Sequence, residues 1–246
     1  LYHSSREAMG RASGRAREVL LRAPHKLVWD HWTLPRALRR DRPDVIWFPQ
    51  NVISLGVETP AVVTLHDLLY FNVPDFPHRE YLWPDILYMR TMIPRSLRRA
   101  RAVACDSEWT RRDAMRLLGL SGDKMRVVPL APGQAFLQTV RDGSDGEVAA
   151  KYGLQRPFFL YAGTCSVRKN IRVLFEAFAR CHRDLPHDLV ITGGGGQVVV
   201  EDRAEDVLDR HGLRDRVKLL GMIPQEDLIG LYQGADAFVY PSRYEG

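Results

Sequence analysis

FFLYAGTCSVRKNIRVLFEAFA, Phe158 to Ala179, holds a short apolar run that breaks at Gly163 and resumes after TCSVRKN with apolar residues at Ile171, Leu174, Phe175 and Phe178. Those spacings of three and four put four side chains on one face of a helix, and the run before Gly163 reads as a strand buried on both faces. Strand, loop, helix is the unit from which parallel α/β sheets are built. Arg168 and Lys169 fall where the helix should begin. Backbone amides there already carry partial positive charge, and added cations cost roughly 0.3–1 kcal/mol each. A bound anion resolves the conflict, because phosphate accepts bonds from free amides and pairs with both side chains. The competing reading has both side chains bending into water ahead of the cap.

The same alternation extends in both directions. From Asp44 the strand candidates DVIWF, AVVTLH, RAVAC and MRVVP are separated by a helical region over 81–99 and a second helix after Ser107. Ser107 is a natural N-cap for EWTRRDAMRLLG, and Gly119 a natural stop. Past Phe158 follow DLVIT, a helix over 199–211, RVKLL, a helix over 225–233 that Pro224 introduces, and AFVYPS. Between the two series, Pro132, Gly133, Gly143, Ser144 and Gly146 mark a linker. The expectation is an α/β chain of two Rossmann-like parallel-sheet domains, 1–131 and 147–246, joined by 132–146. Leu1 leads almost directly into an Arg-rich helical stretch, so the first strand of domain 1 is expected to be missing, and the stop at Glu245-Gly246 leaves domain 2 incomplete. Right-handed crossovers gather all strand carboxyl ends on one edge, where such folds bind ligands. The loops 163–170, 193–196 and 241–246 leave that edge together, which strengthens the case for phosphate at Arg168-Lys169. Gly193 and Gly194 allow close backbone approach to a ligand, or form only a flexible turn. Ser242 could donate to a phosphate or cap a turn.

Composition narrows the partners. The 246 residues are 45% hydrophobic with a net charge of +5, and arginines are dense over 6–42 and 90–116. Anionic partners are favoured. Nucleic acid is not expected, since the basic stretches lack interleaved aromatics and match no groove-binding module. An anionic membrane surface fits better, because each basic residue near such a leaflet gains about 1 kcal/mol. No stretch reaches the roughly 20 apolar residues of a membrane span, and the opening LYHSSREAMGRASGRAR lacks the apolar core of a secretory signal. The expected location is the cytoplasm, peripheral at the inner membrane face. Cys105, Cys165 and Cys181 are odd in number and share no CxxC spacing, so neither a disulfide framework nor a zinc site is indicated.

Taken together, VVTLHDLLYFNVPDFP, YAGTCSVRKNIRVLFEAFA, LVITGGGG and VKLLGMIPQEDLIGLYQGADAFVYPSRYEG resemble the retaining glycosyltransferases of family 4, in the right order and at plausible spacing from Asp44 to Gly246. The resemblance implies the two-domain GT-B fold, a nucleotide-sugar donor held mainly by the second domain, an acceptor on the first and chemistry in the interdomain cleft. Lys169 matches the family's diphosphate-binding lysine. The family's arginine should stand near Gly163 or Thr164, where this chain has none, so Arg168 substitutes or Lys169 acts alone. Glu245 matches the first glutamate of the paired-glutamate motif, an acceptor for donor sugar hydroxyls, and its second glutamate would lie beyond Gly246. His66 and Asp67 match the motif whose histidine faces the donor sugar and phosphate. As residues alone they are equally a loop-anchoring pair. Gly14-Arg15 corresponds to the glycine-rich loop near the donor phosphate, with Gly10-Arg11 an alternative fit.

The implied activity is transfer of a hexose, with mannose a candidate, from a GDP- or UDP-sugar to a glycan or lipid-linked glycan with retention, in polysaccharide or glycolipid synthesis. No cofactor is implied, and the absence of any Asp-x-Asp sequence fits a metal-independent site. The alternatives are an inactive nucleotide-sugar-binding fragment and a GT-B-like nucleotide-sugar epimerase.

Overall fold

The computed structural model describes residues 1–4, 17–72, 81–138, 145–155, 157–166, 168–194 and 204–246. The chain divides near Leu130 into two compact units. In the first, β1 (Tyr2–His3) pairs in parallel with β2 (Val19–Leu20). The opening residues therefore differ from the helical expectation: Tyr2 and His3 are extended, and backbone bonds such as Val19 N–H to the Leu1 carbonyl, 2.7 Å, hold them there. Helix α1 (Lys26–Val28) continues through a π turn (Trp29–Thr33) into α2 (Leu34–Asp41). There follow β3 (Ile46–Phe48), β4 (Ala61–Leu65), α3 (Leu69–Asn72), α4 (Trp83–Arg99), β5 (Ala102–Cys105), α5 (Glu108–Leu118) and β6 (Met125–Val127).

Strands β3-β4-β5-β6 stand side by side in sequence order, all parallel. Val63 and Leu65 of β4 and Val103 and Cys105 of β5 are buried against Leu34 and Leu38 of α2, Ile93 and Leu97 of α4, and Ala114 of α5. Each buried valine, leucine or isoleucine among them contributes about 1.5–3 kcal/mol by leaving water. The Ser107 hydroxyl accepts the Thr110 N–H at 2.9 Å and starts α5, and Gly119 ends it in the left-handed region at φ 61°.

The second unit contains α6 (Gln134–Gln138), α7 (Asp145–Lys151), β7 (Phe158–Ala162), α8 (Ile171–Cys181), β8 (Asp188–Thr192), α9 (Ala204–Arg210), β9 (Val217–Gly221), α10 (Gln225–Gly234) and β10 (Ala237–Phe238). Helices α6 and α7 thus occupy much of the segment read as a linker. The sheet order is β10-β7-β8-β9, again all parallel. Pleat alternation sorts the core into two faces. Tyr161 of β7 and Leu189 and Ile191 of β8 meet Ile171, Leu174, Phe175 and Phe178 of α8 and Val207 and Leu208 of α9. Leu160 and Val190 point the other way, to Leu231 of α10 with Val148 of α7 packed alongside. The result is a sheet between two helical layers, with all five residues of β8 buried.

Candidate functional site

In each unit the parallel strands deliver their loops to one edge, and the sequence-predicted residues lie there. In the second unit, α8 begins at Ile171, and Asn170 ahead of it is left-handed at φ 58° with no side-chain cap bond. Its amide instead donates to the Pro241 carbonyl at 3.2 Å. Arg168 and Lys169 therefore lie in a turn before the helix, tied to the loop after β10. The Lys169 ammonium, on a buried residue, donates to both carboxylate oxygens of Glu245 at 2.8 Å and to the Tyr240 hydroxyl. The ammonium also stands 4.7 Å from the Tyr240 ring centroid. Arg168 donates to Glu245 at 2.6 Å and to the Tyr244 carbonyl at 2.9 Å. Burial disfavours charge on Glu245, but hydrogen bonds from Lys169, Ser242 and Arg168 outweigh it and hold the carboxyl below its ordinary range. Adjacent cations at this turn are thus balanced by an anion from within the chain.

The remaining loop residues shape this turn. The Ser242 hydroxyl lies 3.1 Å from the Tyr244 carbonyl and 3.3 Å from that of Arg168, and the Arg243 N–H donates to the same Arg168 carbonyl at 2.9 Å. Ser242 thus contacts both the loop backbone and the Glu245 carboxylate. Tyr240 stacks on Tyr161 at 5.6 Å, and the Tyr161 hydroxyl donates to the Thr164 carbonyl at 2.8 Å. Ala162 pairs with Thr192, so the next residues, Gly163 and Gly193, emerge side by side. Gly193 has φ 130°, and a Cβ on it would overlap the Gly163 carbonyl oxygen and lie 2.7 Å from its carbonyl carbon. Gly193 thus lets its backbone pass close to that of Gly163. At Gly194 a Cβ would only touch Met222 Sδ, at 3.4 Å. Gly14 lies outside the described residues.

In the first unit, β4 and β5 pair Leu65 with Cys105, which brings His66 and Asp106 together past the strand ends. His66 Nδ1 is 2.6 Å from Asp106 Oδ2, and Nε2 is 2.8 Å from the Pro49 carbonyl. Its backbone N–H donates to Asn51 Oδ1 at 2.9 Å, and its carbonyl accepts the Thr110 hydroxyl at 3.1 Å. Burial would lower the His66 pKa, but bonds to Asp106 and Pro49 and the charges of Asp106 and Asp67 raise it overall. Asp67 itself accepts the Leu69 N–H at 3.0 Å and caps α3. Neighbouring Cys105 is pushed up to about 11 by burial and stays a thiol. Sequence alone does not single out Asp106, Asn51 or Tyr240 as site residues. The first carried a usable signal: a carboxylate one residue past a strand adjacent to the one bearing the histidine.

Among the described residues, no group of three or more His, Cys, Asp or Glu could hold a metal ion, and no helix is long and apolar enough to cross a membrane.

The model of glycosyltransferase family 4 matches residues 3–131, and that of the glycosyl transferases group 1 matches 147–246. The chain belongs to the family 4 glycosyltransferases. It is 31% identical to O-antigen chain mannosyltransferase B of Escherichia coli over 214 residues, covering 84% of this chain and 53% of that protein. It is 27% identical to the alpha-D-kanosaminyltransferase of Streptomyces kanamyceticus over 200 residues, covering 78% of this chain and 48% of the relative. The chain thus spans about half the length of the curated relatives it matches. Among solved structures, the sucrose-phosphate synthase of Thermosynechococcus elongatus superposes with a TM-score of 0.67 at 20% identity, covering 95% of this chain and 62% of that one. Anabaena HepE in complex with UDP-glucose gives 0.65 at 16% identity, covering 92% and 60%. These likenesses establish the fold as GT-B.

Proposed function

We propose that this family 4 glycosyltransferase moves a hexose from a nucleotide-sugar donor to a hydroxyl of a growing glycan or lipid-linked glycan, with retention of anomeric configuration. One observation carries the reading: buried Lys169 and its neighbour Arg168 converge on a carboxylate at the edge formed by the strands' carboxyl ends. A site that holds one anion by a point charge and a planar fork suits a diphosphate in its place. When the donor enters, its phosphates take over Arg168 and Lys169, and Glu245 turns its released lone pairs to the sugar hydroxyls. The bond from the anomeric carbon to the diphosphate then breaks as charge grows on the departing oxygens. Fixed cations are worth most in a site that excludes water, where they act without reorganising. The acceptor hydroxyl attacks the same face, and its proton passes to a departing phosphate oxygen, so no protein nucleophile is required. His66 joins this reaction through the family motif it matches.

GDP-mannose is the first donor to test, because the chain is 31% identical to O-antigen chain mannosyltransferase B over 84% of its length. UDP-glucose follows from the Anabaena protein solved with it. The acceptor is proposed to be membrane-associated, consistent with the arginine-rich helices and the net charge of +5. Incubating the protein with GDP-, UDP- and ADP-sugars, with and without glycan acceptors, tests the reading through release of nucleoside diphosphate. Acceptor-dependent release with an α-linked product from an α-linked donor supports it. Conversion of the donor to its epimer without acceptor would replace it with an isomerase.

A further inference from the structure

Every polar group of His66 is committed within the first unit. Its N–H and carbonyl are held by Asn51 and Thr110, and its two ring nitrogens face Asp106 Oδ2 at 2.6 Å and the Pro49 carbonyl at 2.8 Å. A carbonyl oxygen can only accept, so Nε2 carries a hydrogen. A carboxylate also accepts, so Nδ1 carries one too. A neutral ring would set a nitrogen lone pair against one of these oxygens. We propose that Asp106 is a positioning residue that, with the Pro49 carbonyl, keeps His66 doubly protonated, so that His66 serves the reaction as a fixed positive charge and not as a general base.

Three adjacent strands build this arrangement. Pro49 and Asn51 follow β3, His66 follows β4 and Asp106 follows β5, and pairing of Leu65 with Cys105 fixes the last two in register. The charged groups bearing on the ring are Asp106 and Asp67, both negative, and their fields act together with the two hydrogen bonds to raise its pKa against the effect of burial. The side chain remains 41% exposed, so its charge can reach a ligand although neither nitrogen is free. A base must offer a lone pair, and this ring has none to offer. That fits a same-face displacement in which the departing diphosphate receives the acceptor proton. The functional half of the inference rests on the glycosyltransferase reading, whereas the Asp106–His66 coupling stands apart from it.

Nitrogen-15 NMR of histidine-labelled protein tests the coupling, with the His66 signals assigned by their loss in His66→Gln. The wild-type ring should stay doubly protonated to a pH above the ordinary histidine value of about 6.5. Asp106→Asn should lower that midpoint and Asp106→Glu restore it, with circular dichroism confirming the fold. A His66 titration unmoved by Asp106→Asn overturns the coupling. If Asp106→Asn does not fold, the wild-type protein decides: a ring with one bare nitrogen at pH 6 overturns the proposal. In the transfer assay, kcat should fall as pH rises through the His66 midpoint, and Asp106→Asn should move that descent to lower pH and reduce kcat at least about tenfold. A kcat that climbs with pH through the same midpoint would make His66 a base and overturn the proposal. Failure to turn over any nucleotide sugar would sink the transferase reading, while the NMR result still decides the role of Asp106.

Discussion

Lys169 brings an ammonium group out of bulk water, an arrangement that survives only when its hydrogens are bonded and its charge is answered. Glu245 and Tyr240 supply that environment, and on the proposed reading the Glu245 carboxylate competes with an incoming phosphate. Glu245→Gln keeps the shape and removes the internal anion, so nucleoside diphosphate should bind several-fold more tightly while sugar transfer falls. Isothermal calorimetry alongside a transfer assay reads both, and weaker diphosphate binding would refute the competition. Gly193 is constrained differently. At φ 130° with the Gly163 backbone where its Cβ would go, Gly193→Ala must separate two neighbouring strand ends. It should destabilise the fold by more than about 2 kcal/mol, seen as a lowered urea midpoint. The sequence showed that glycines gather here. It could not show that Gly193 packs against the Gly163 backbone, because that depends on the register of β7 against β8.

At the level of elements, what was legible is what local chemistry dictates. The face of α8 made by Ile171, Leu174, Phe175 and Phe178 is buried as its spacing requires, and Ser107 and Gly119 bound α5 as their side-chain and backbone preferences demand. The exceptions have non-local causes. Strand β1 depends on pairing with β2, sixteen or more residues away, and β10 is only two residues long although AFVYPS reads as a full strand. Helices α7 and α10 show how tertiary contact sets a residue's value. A Cβ on Gly230 of α10 would lie 2.6 Å from Val148 Cγ2 of α7, and the branched valine has little freedom to yield. Gly230→Ala should therefore destabilise by roughly 1–3 kcal/mol despite alanine's better helix propensity, and a thermal melt that rises would contradict it. Arg216, just ahead of β9, donates to Asp188 Oδ1 at 3.0 Å and to the carbonyls of His182, Leu185 and His187. It clamps the connection between α8 and β8 over a buried carboxylate. Arg216→Ala should cost about 3–5 kcal/mol, measured by denaturant unfolding.

Across the whole chain, acid should be a denaturing influence. Hydrogen bonds from Arg40 and then Tyr2 hold Asp41 down at about 2, Arg214 lowers Asp209, and Lys151 followed by Tyr152 lowers Asp227. Glu245 joins them, burial notwithstanding. For groups depressed on folding, the stabilisation is present above the unfolded carboxyl value near 4 and is lost as pH falls toward the folded one. The urea midpoint at pH 3 should lie well below that at pH 6, and equal midpoints would mean these pairs add nothing. The two parallel sheets were readable at this scale because strand and helix alternate twice along the chain. The pairing of Arg168 and Lys169 with Glu245 was not, since the partners are more than seventy residues apart and each was assigned to a ligand.

The claim on which the functional account turns is that the Arg168-Lys169 turn is a diphosphate site occupied at rest by a carboxylate. Calorimetric titration of GDP, UDP and ADP into the protein and into Lys169→Ala, with circular dichroism to show that the variant folds, tests it most directly. At least one nucleotide should bind, and Lys169→Ala should weaken it by about 10- to 100-fold, the equivalent of one lost charge-assisted hydrogen bond. Equal affinity of the folded variant and the wild type would contradict the account.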